Sequence, residues 1–327
     1  MGTLLPPALP RPLGLYGALA GLGQQSVPYY GPYRWIAVRQ RFTQFDHNLS
    51  LTPPQVEDGL TKRAGVVNCL NRYYYGRASD VEQTFLIGSW GKGTAIRPPR
   101  DVDVYFALPV DVYYRFQNRL GNRQSALLQE VKAVLSETYP GTEMSGDGQI
   151  VLVGFESYAV EVVPAFPLTN GRYWICDTNN GGSYKETDPW AELRHIEAVD
   201  KVNNNNLRPL IRMLKAWQDW CSVPIKSFQL ELLAAEFIAQ SPWRLHDFFW
   251  FDWITRDFFA FLYYKANSLV AVPGTGETIF LGNEWQSRTE SAYWRAVKAC
   301  DHEGENEVEE AGDEWQKIFG YQIPRQP

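Results

Sequence analysis

The chain is poor in the residues that most often hold zinc or form disulfides. Its 327 residues include only four cysteines and four histidines. The cysteines are far apart, no two of them form a CxxC pair, and no histidine stands at the spacing that a zinc site uses. This pattern argues against a zinc site and predicts reduced structural thiols in a cytoplasmic protein.

The chain also lacks a long apolar run and a surplus of basic residues. No segment approaches the ~20 consecutive apolar residues that a membrane helix needs, so no contact with a membrane is expected. The formal net charge is −6. Because binding to a long duplex depends on neutralising its phosphates with Lys and Arg, this charge argues against an extended nucleic-acid surface. Any nucleotide ligand is therefore expected to be small.

What is present is the composition of a globular protein, with 45% hydrophobic and 21% charged residues. Residues 1–37 are rich in Pro and Gly and predict an N-terminal extension. Residues 38–200 alternate between strand and helix patterns, which predicts a mixed α/β core, and residues 201–327 are mainly helical. Within the core, residues 53–75 predict a long helix and residues 167–188 predict a long loop.

The segment from Gly88 to Asp103 carries the strongest chemical signal. Asp101 and Asp103 stand two apart in DVDVYFAL, a β-branched and aromatic run that predicts a strand. Because side chains alternate faces along a strand, both carboxylates project from the same side. A short upstream strand leads into Gly88 and Ser89, where a tight turn would leave backbone N–H groups able to hold phosphate oxygens. The alternative for an isolated Asp-x-Asp pair is a solvated edge strand.

A third acid changes the balance between these alternatives. Glu161 is the lone acid in the apolar, strand-like run Tyr158–Pro164. An unpaired buried carboxylate is costly, so this residue needs a partner or a metal. Together with the two aspartates, it favours a divalent metal site over a solvated surface. The nearby stretch Gly91-Lys92-Gly93-Thr94 is not a P-loop, because Leu86 stands where that motif requires its first glycine.

These motifs resemble those of the polymerase-β-type nucleotidyltransferases. More narrowly, they resemble the bacterial cGAS-like nucleotidyltransferases (CD-NTases) that make cyclic oligonucleotide signals in anti-phage defence. The resemblance covers about residue 38 to the C-terminus and rests on the catalytic motif and on further segments: Gln40–Phe45, Leu49–Thr52, Val162–Pro167, Gly181-Gly182, Thr187–Pro189, Arg208–Trp217 and Trp315–Gly320. It implies a polymerase-β-like α/β core with a mixed sheet and a mainly helical C-terminal lobe.

The resemblance also implies an activity and its residues. The enzyme would join NTPs into a cyclic di- or trinucleotide by two-metal phosphodiester transfer, with release of pyrophosphate. Asp101, Asp103 and Glu161 would be the catalytic residues and would hold two Mg²⁺ ions, with Mn²⁺ as the alternative. Gly88 and Ser89 would position the triphosphate.

Three further residues are assigned to the nucleotide by resemblance. Lys215 is similar to the family lysine that contacts the donor nucleotide, Ser227 to a serine on its phosphate, and Phe228 to an aromatic ring on its base. A surface helix lysine and a core aromatic are the alternatives for Lys215 and Phe228. The expected partners are NTP substrates, an activator protein in some related systems, and a separate effector that responds to the cyclic nucleotide.

One departure from the family pattern limits these expectations. The family usually has Asp at the third acidic position, where this chain has Glu161. Its extra methylene can displace the carboxylate by roughly an ångström, and errors of that size slow reactions. One alternative is therefore a nucleotide- or RNA-binding protein whose catalysis is impaired by Glu161. A separate alternative keeps the chemistry and changes the product: a transferase that makes linear oligonucleotides or adds a single nucleotide.

Overall fold

The computed structural model describes residues 34–327, which form two compact units built from separated segments of the chain. The sheet unit comprises Leu51–Glu197 and Pro273–Gly276. The helical unit comprises residues 34–50, Ala198–Val272 and Glu277–Pro327. Most of the expected extension over residues 1–37 lies outside the described residues. The domain bounds expected from the sequence stay a prediction.

The helices and strands of the described residues follow in chain order. They are α1 (Val38–Leu49), α2 (Pro53–Tyr75), β1 (Thr84–Leu86), α3 (Gly88–Lys92), β2 (Asp101–Ala107), α4 (Val110–Gln117), α5 (Arg123–Thr138), β3 (Glu143–Asp147), β4 (Ile150–Gly154), β5 (Ala159–Pro167), β6 (Tyr173–Asp177), β7 (Ser183–Thr187), α6 (Pro189–Val202), α7 (Leu207–Trp220), α8 (Ser227–Gln240), α9 (Phe251–Tyr263), β8 (Leu269–Ala271), β9 (Thr278–Phe280), α10 (Gln286–Glu305) and α11 (Val308–Phe319).

The sheet unit is built on a seven-stranded mixed sheet. Its main path runs β1-β2-β5-β4-β3, and β6 and β7 extend from β5. The pair β2–β5 is parallel, whereas the other pairs of this sheet are antiparallel. Because β2 alternates half-buried and buried positions at its start, one face of the sheet packs into the core and the other presents the acids. The mixed α/β architecture predicted from the sequence is confirmed.

Helix α2 covers the core face, and the structure confirms its predicted bounds. The backbone N–H of Thr52 donates to Gln55 Oε1 over 2.9 Å, which satisfies a donor at the helix start. Gly76 ends the helix in the left-handed conformation, with φ of 67°. Gly59 in mid-helix has a packing reason, since a Cβ there would lie 2.5 Å from the Trp90 ring.

The expected loop over residues 167–188 is wrong. This segment contains β6 and β7, which pair with each other, and β6 also pairs with the end of β5 through Ala165 and Ile175. Trp174 on β6 and Tyr184 on β7 stack with their ring centroids 5.9 Å apart. Aromatic cross-strand pairs stabilise a hairpin, and they outweigh the polar and glycine residues that suggested a loop.

The helical unit buries aromatic side chains within a core that is otherwise mostly aliphatic. Phe251, Phe258 and Phe259 on α9 are fully buried, whereas Phe248–Trp250, just before that helix, is half-buried. The unit also buries Arg41 of α1, whose Nε donates to Glu303 Oε1 over 2.7 Å. The same guanidinium donates to the backbone carbonyls of Val308, Pro324 and Arg325. One buried cation therefore ties α1 to α10 and to the end of the chain.

Among residues 34–327, none of the helices is both long enough and apolar enough to cross a bilayer.

Candidate active site

Three carboxylates meet on the open face of the sheet. In the parallel pair β2–β5, Asp103 and Glu161 are direct register partners, and Asp101 lies two residues before Asp103 on the same face. One oxygen from each of the three side chains lies within 4.8 Å of the others, and all three residues are half-buried. The parallel register is what brings together acids that stand 58 positions apart in the sequence.

The three acids crowd one another electrostatically. Burial, followed by the charges of Asp103 and Asp101, raises the pKa of Glu161 to about 7. Two carboxylates this close share a proton readily, because the second ionisation places like charges side by side. A divalent cation would relieve that repulsion, and hard oxygen donors are the ligands that Mg²⁺ and Mn²⁺ prefer. Asp101, Asp103 and Glu161 therefore fit a divalent metal, with the extra methylene of Glu161 accommodated in the cluster.

Gly88 stands directly beside Asp103. Its φ is 54°, and a Cβ built on it would lie 2.5 Å from Asp103 Cγ and 2.9 Å from Asp103 Cβ. Both the conformation and the space require glycine here. The neighbouring Ile87 N–H donates to the Asp103 carbonyl over 3.2 Å, so the backbone on both sides of this contact is fixed.

The Gly-Ser segment is not the turn that was expected. Gly88 and Ser89 open the short helix α3, and the Thr94 N–H donates back to the Ser89 carbonyl over 2.8 Å. Helix formation replaces the turn because Gly91 N–H reaches the Ile87 carbonyl over 2.9 Å. The N–H groups in the first turn of a helix have no partner within that helix, so they retain the donor capacity on which the expectation rested. Their role with a triphosphate stays a prediction.

The three residues assigned by resemblance lie on two helices of the helical unit. Lys215 on α7 is 7% exposed, and its Nζ lies 2.6 Å from Oε1 of the buried Glu231 on α8. Ser227 opens α8 and donates to Gln218 Oε1 over 2.7 Å, and the neighbouring Phe228 is half-buried. Lys215 is thus a buried ion-pair lysine and not an exposed one. The nucleotide-binding roles of these residues stay predictions.

A mixed sheet that presents three acids from two parallel neighbours, beside a glycine that touches one of them, is the arrangement of a polymerase-β-like nucleotidyltransferase. Residues 36–203, about half of the chain, match the protein family described as the Second Messenger Oligonucleotide or Dinucleotide Synthetase domain. The chain belongs to this family of synthetase domains and is a cGAS-like CD-NTase, as its motifs predicted.

Individual relatives agree with this assignment. A cyclic AMP-AMP-AMP synthase of Acinetobacter sp. (strain ATCC 27244 / 9458) is 23% identical over 252 residues, which is 74% of this chain and 73% of that protein. The 3′-deoxy ATP bound form of DncV from Vibrio cholerae has a TM-score of 0.66 at 14% identity, over 88% of this chain and 96% of DncV. The structure of the CdnC:HORMA-deltaN complex of E. coli MS115-1 gives a TM-score of 0.62 at 19% identity, over 88% of this chain and 98% of the matched chain.

Proposed function

We propose that this chain joins NTPs into a cyclic di- or trinucleotide second messenger in anti-phage defence. The observation that carries the proposal is the cluster of Asp101, Asp103 and Glu161, held in register by two parallel strands in a chain of a synthetase family. Such a cluster is built to hold divalent cations against the phosphates of a nucleotide.

The chemistry is a displacement at phosphorus. The oxygen of an acceptor ribose hydroxyl forms a bond to the α-phosphorus of the donor NTP. The bond from that phosphorus to the oxygen bridging to the β-phosphate breaks, and pyrophosphate leaves. Two Mg²⁺ ions held by Asp101, Asp103 and Glu161 would supply activation of the hydroxyl and stabilisation of the leaving group. A carboxylate oxygen of the cluster accepts the hydroxyl proton.

Repetition of the step explains a cyclic product. One transfer gives a linear intermediate that keeps its 5′-triphosphate, and attack of its own terminal hydroxyl on that α-phosphorus closes the ring with loss of a second pyrophosphate. In this scheme Gly88 and Ser89 hold the donor triphosphate through backbone N–H groups. Lys215, Ser227 and Phe228 are further proposed nucleotide-binding residues, with Phe228 stacking on a base.

Substrates and partners follow from the relatives. ATP is the NTP that we expect first, because the relatives include a cyclic AMP-AMP-AMP synthase and a structure of DncV with 3′-deoxy ATP bound. An activator protein of the HORMA kind is a proposed partner, because CdnC is seen in a complex with HORMA. The cyclic product would act on a separate effector protein.

The test is incubation of the purified protein with radiolabelled NTPs and Mg²⁺ or Mn²⁺, beside the double variant Asp101→Ala, Asp103→Ala. Phosphatase-resistant product from the wild type alone is expected, and its mass gives the ring size. A product that loses a 5′-triphosphate to phosphatase, and whose mass falls accordingly, would identify a linear oligonucleotide synthase. Pyrophosphate release that is equal in the wild type and the double variant would refute the assignment of the site.

Glu161 provides a second arm of the same experiment. If the wild type is silent with both metals, Glu161→Asp distinguishes two causes. Activity that appears in this variant would assign the silence to the longer side chain and support an impaired, nucleotide-binding protein. Silence of both proteins that ends on addition of an activator would assign it to regulation.

A further inference from the structure

A buried lysine lies in the catalytic motif without a role in the scheme above. Lys92 is the last residue of α3 and is 5% exposed. Its Nζ lies 3.1 Å from Oε2 of Glu192 on α6, whose side chain is 22% exposed. A buried ammonium is costly unless it is paired, so this ion pair is required where Lys92 lies. Burial and the charge of Lys92 also lower the pKa of the nearby His195, which keeps that ring neutral.

The start of α6, which carries Glu192, is packed against the strands of the sheet unit. Trp190 stacks on Phe85 of β1 with ring centroids 4.2 Å apart, and Phe85 stacks on Tyr105 of β2 at 5.2 Å. The Ala191 N–H donates to Asp188 Oδ1 over 2.8 Å at the start of the helix. The first turns of α6 are therefore anchored to the strand that carries Asp101 and Asp103.

The body of α3 is packed closely on both sides. The Trp90 ring fills the notch at Gly59 of α2, where a Cβ would lie 2.5 Å from it. A Cβ on Gly91 would lie 2.6 Å from the Leu86 carbonyl oxygen and 3.1 Å from the Leu193 side chain of α6. Helix α3 thus sits between α2 and α6 with little free space, and the ion pair adds a polar connection on the α6 side.

The other end of α3 lies at the acids. Gly88 contacts Asp103, as described above, and it is only four residues from Lys92. At 1.5 Å per residue, about 6 Å along the helix axis separates the backbone of Lys92 from that of Gly88. A shift at the Lys92 end of so short a helix therefore moves the amides of Gly88 and Ser89 relative to Asp103.

We infer that the Lys92–Glu192 ion pair is a positioning device for the triphosphate: it holds α3 so that the Gly88 and Ser89 amides keep their place beside the carboxylates. This inference rests on the proposed function, since it assumes that a triphosphate binds there. Lys92 acts through α3 and does not contact the substrate. Removal of either partner is therefore expected to have the same effect.

The test measures binding, which requires neither turnover nor an activator. Wild type, Lys92→Met, Lys92→Arg and Glu192→Gln are titrated with the α,β-methylene analogues of ATP, GTP, CTP and UTP in Mg²⁺. We expect Lys92→Met and Glu192→Gln each to weaken binding by about tenfold, which is the effect of losing about one hydrogen bond between a backbone amide and a charged phosphate oxygen. Lys92→Arg retains the charge and should bind within about threefold of wild type.

Glu130→Gln is the matched control. Glu130 pairs with Arg115 between two other helices of the same unit, and it takes no part in the site. Because Arg115 is far more exposed than Lys92, this variant should lose less stability in thermal unfolding than Glu192→Gln, and it should bind the analogues as the wild type does. Thermal unfolding of every variant shows which are folded, and Glu192→Gln, whose residue is partly exposed, carries the test if Lys92→Met does not fold.

Each remaining outcome decides a question. Weak binding by Lys92→Met with unchanged binding by Glu192→Gln would overturn the inference and assign Lys92 a direct contact with phosphate. Wild-type binding by both would show that the ion pair has no positioning role. A wild type that binds none of the four analogues would instead overturn the proposed function, and the inference with it.

Discussion

Replacement of Gly88 by alanine tests the contact between the motif helix and the acids most directly. The added Cβ would lie 2.5 Å from Asp103 Cγ, whereas real Cβ atoms essentially never come within 3.0 Å of a neighbour. The Cγ contact alone requires Asp103 or α3 to retreat by about half an ångström, and Asp103 Oδ2, which lies closer still to the built Cβ, requires a larger retreat or a rotation of the carboxylate. The positive φ of 54° adds roughly 1–2 kcal/mol of backbone strain for alanine.

The expected result for Gly88→Ala is a large loss of activity with a moderate loss of stability. An ångström of displacement between Asp103, the proposed metal ligand, and the backbone proposed to bind phosphate would cost about 10² in turnover. Pyrophosphate release with Mg²⁺ gives kcat/KM, and thermal unfolding gives stability. Gly76→Ala is the matched control, because Gly76 has a φ of 67° in the same unit but no atom within 4 Å of a built Cβ.

Gly76→Ala should lose roughly 1–2 kcal/mol from backbone strain alone, and Gly88→Ala should lose more, because its Cβ also displaces Asp103. Only Gly88→Ala should lose catalysis. If it kept the kcat/KM of the wild type, the contact with Asp103 would not position the acids, and the argument from geometry would fail. Equal losses of activity in both variants would point to stability as the common cause.

Three further predictions concern charge. The pKa of Glu161 is raised to about 7, so this side chain contributes stability that is present at low pH and lost as the pH rises through 7. In EDTA, the unfolding midpoint of Glu161→Gln should therefore exceed that of the wild type at pH 8 and match it at pH 5. Mg²⁺ should reverse the order of the two midpoints at pH 8. Lys215→Met should lower the free energy of unfolding in urea by ~3–5 kcal/mol, because the buried Glu231 loses the cation of its ion pair. The second substitution Glu231→Gln should restore much of that free energy, and additive losses would contradict the pairing. Burial raises the pKa of Asp252 to about 8, so the stability that this residue contributes falls between pH 4 and pH 8. In urea titrations over that range, the free energy of unfolding of Asp252→Asn should rise relative to that of the wild type by about 1.4 kcal/mol per pH unit. Parallel curves for the two proteins would refute this prediction.

The cluster of three acids could be predicted from the sequence because it depends on local rules. Alternation along one strand places Asp101 and Asp103 on one face, and the need of a buried acid for a partner singles out Glu161. The long helix could be predicted for the same reason, since its start, its glycine end and its apolar spacing are all local. In each case the residues that decide the structure are close together in the chain.

The features that the sequence did not predict depend on contacts between distant segments. The β6–β7 hairpin forms because Trp174 and Tyr184 stack across it and Ile175 pairs with β5. Gly88–Lys92 is a helix and not a turn because it packs between α2 and α6. The partner of Lys92 stands a hundred positions away at Glu192, and no spacing rule links two such residues. A lysine between two glycines in the motif was the available signal.

The buried guanidinium of Arg41 has a consequence for the order of synthesis. Its carbonyl acceptors at Pro324 and Arg325 stand 283 and 284 residues later in the chain, so the ribosome completes the whole sheet unit before they exist. Until then Arg41 lacks two of its carbonyl acceptors, and the apolar side chains of Phe42 and Phe45 lack their final cover. The first described helix to be made therefore cannot complete its native contacts until Arg325 has been made.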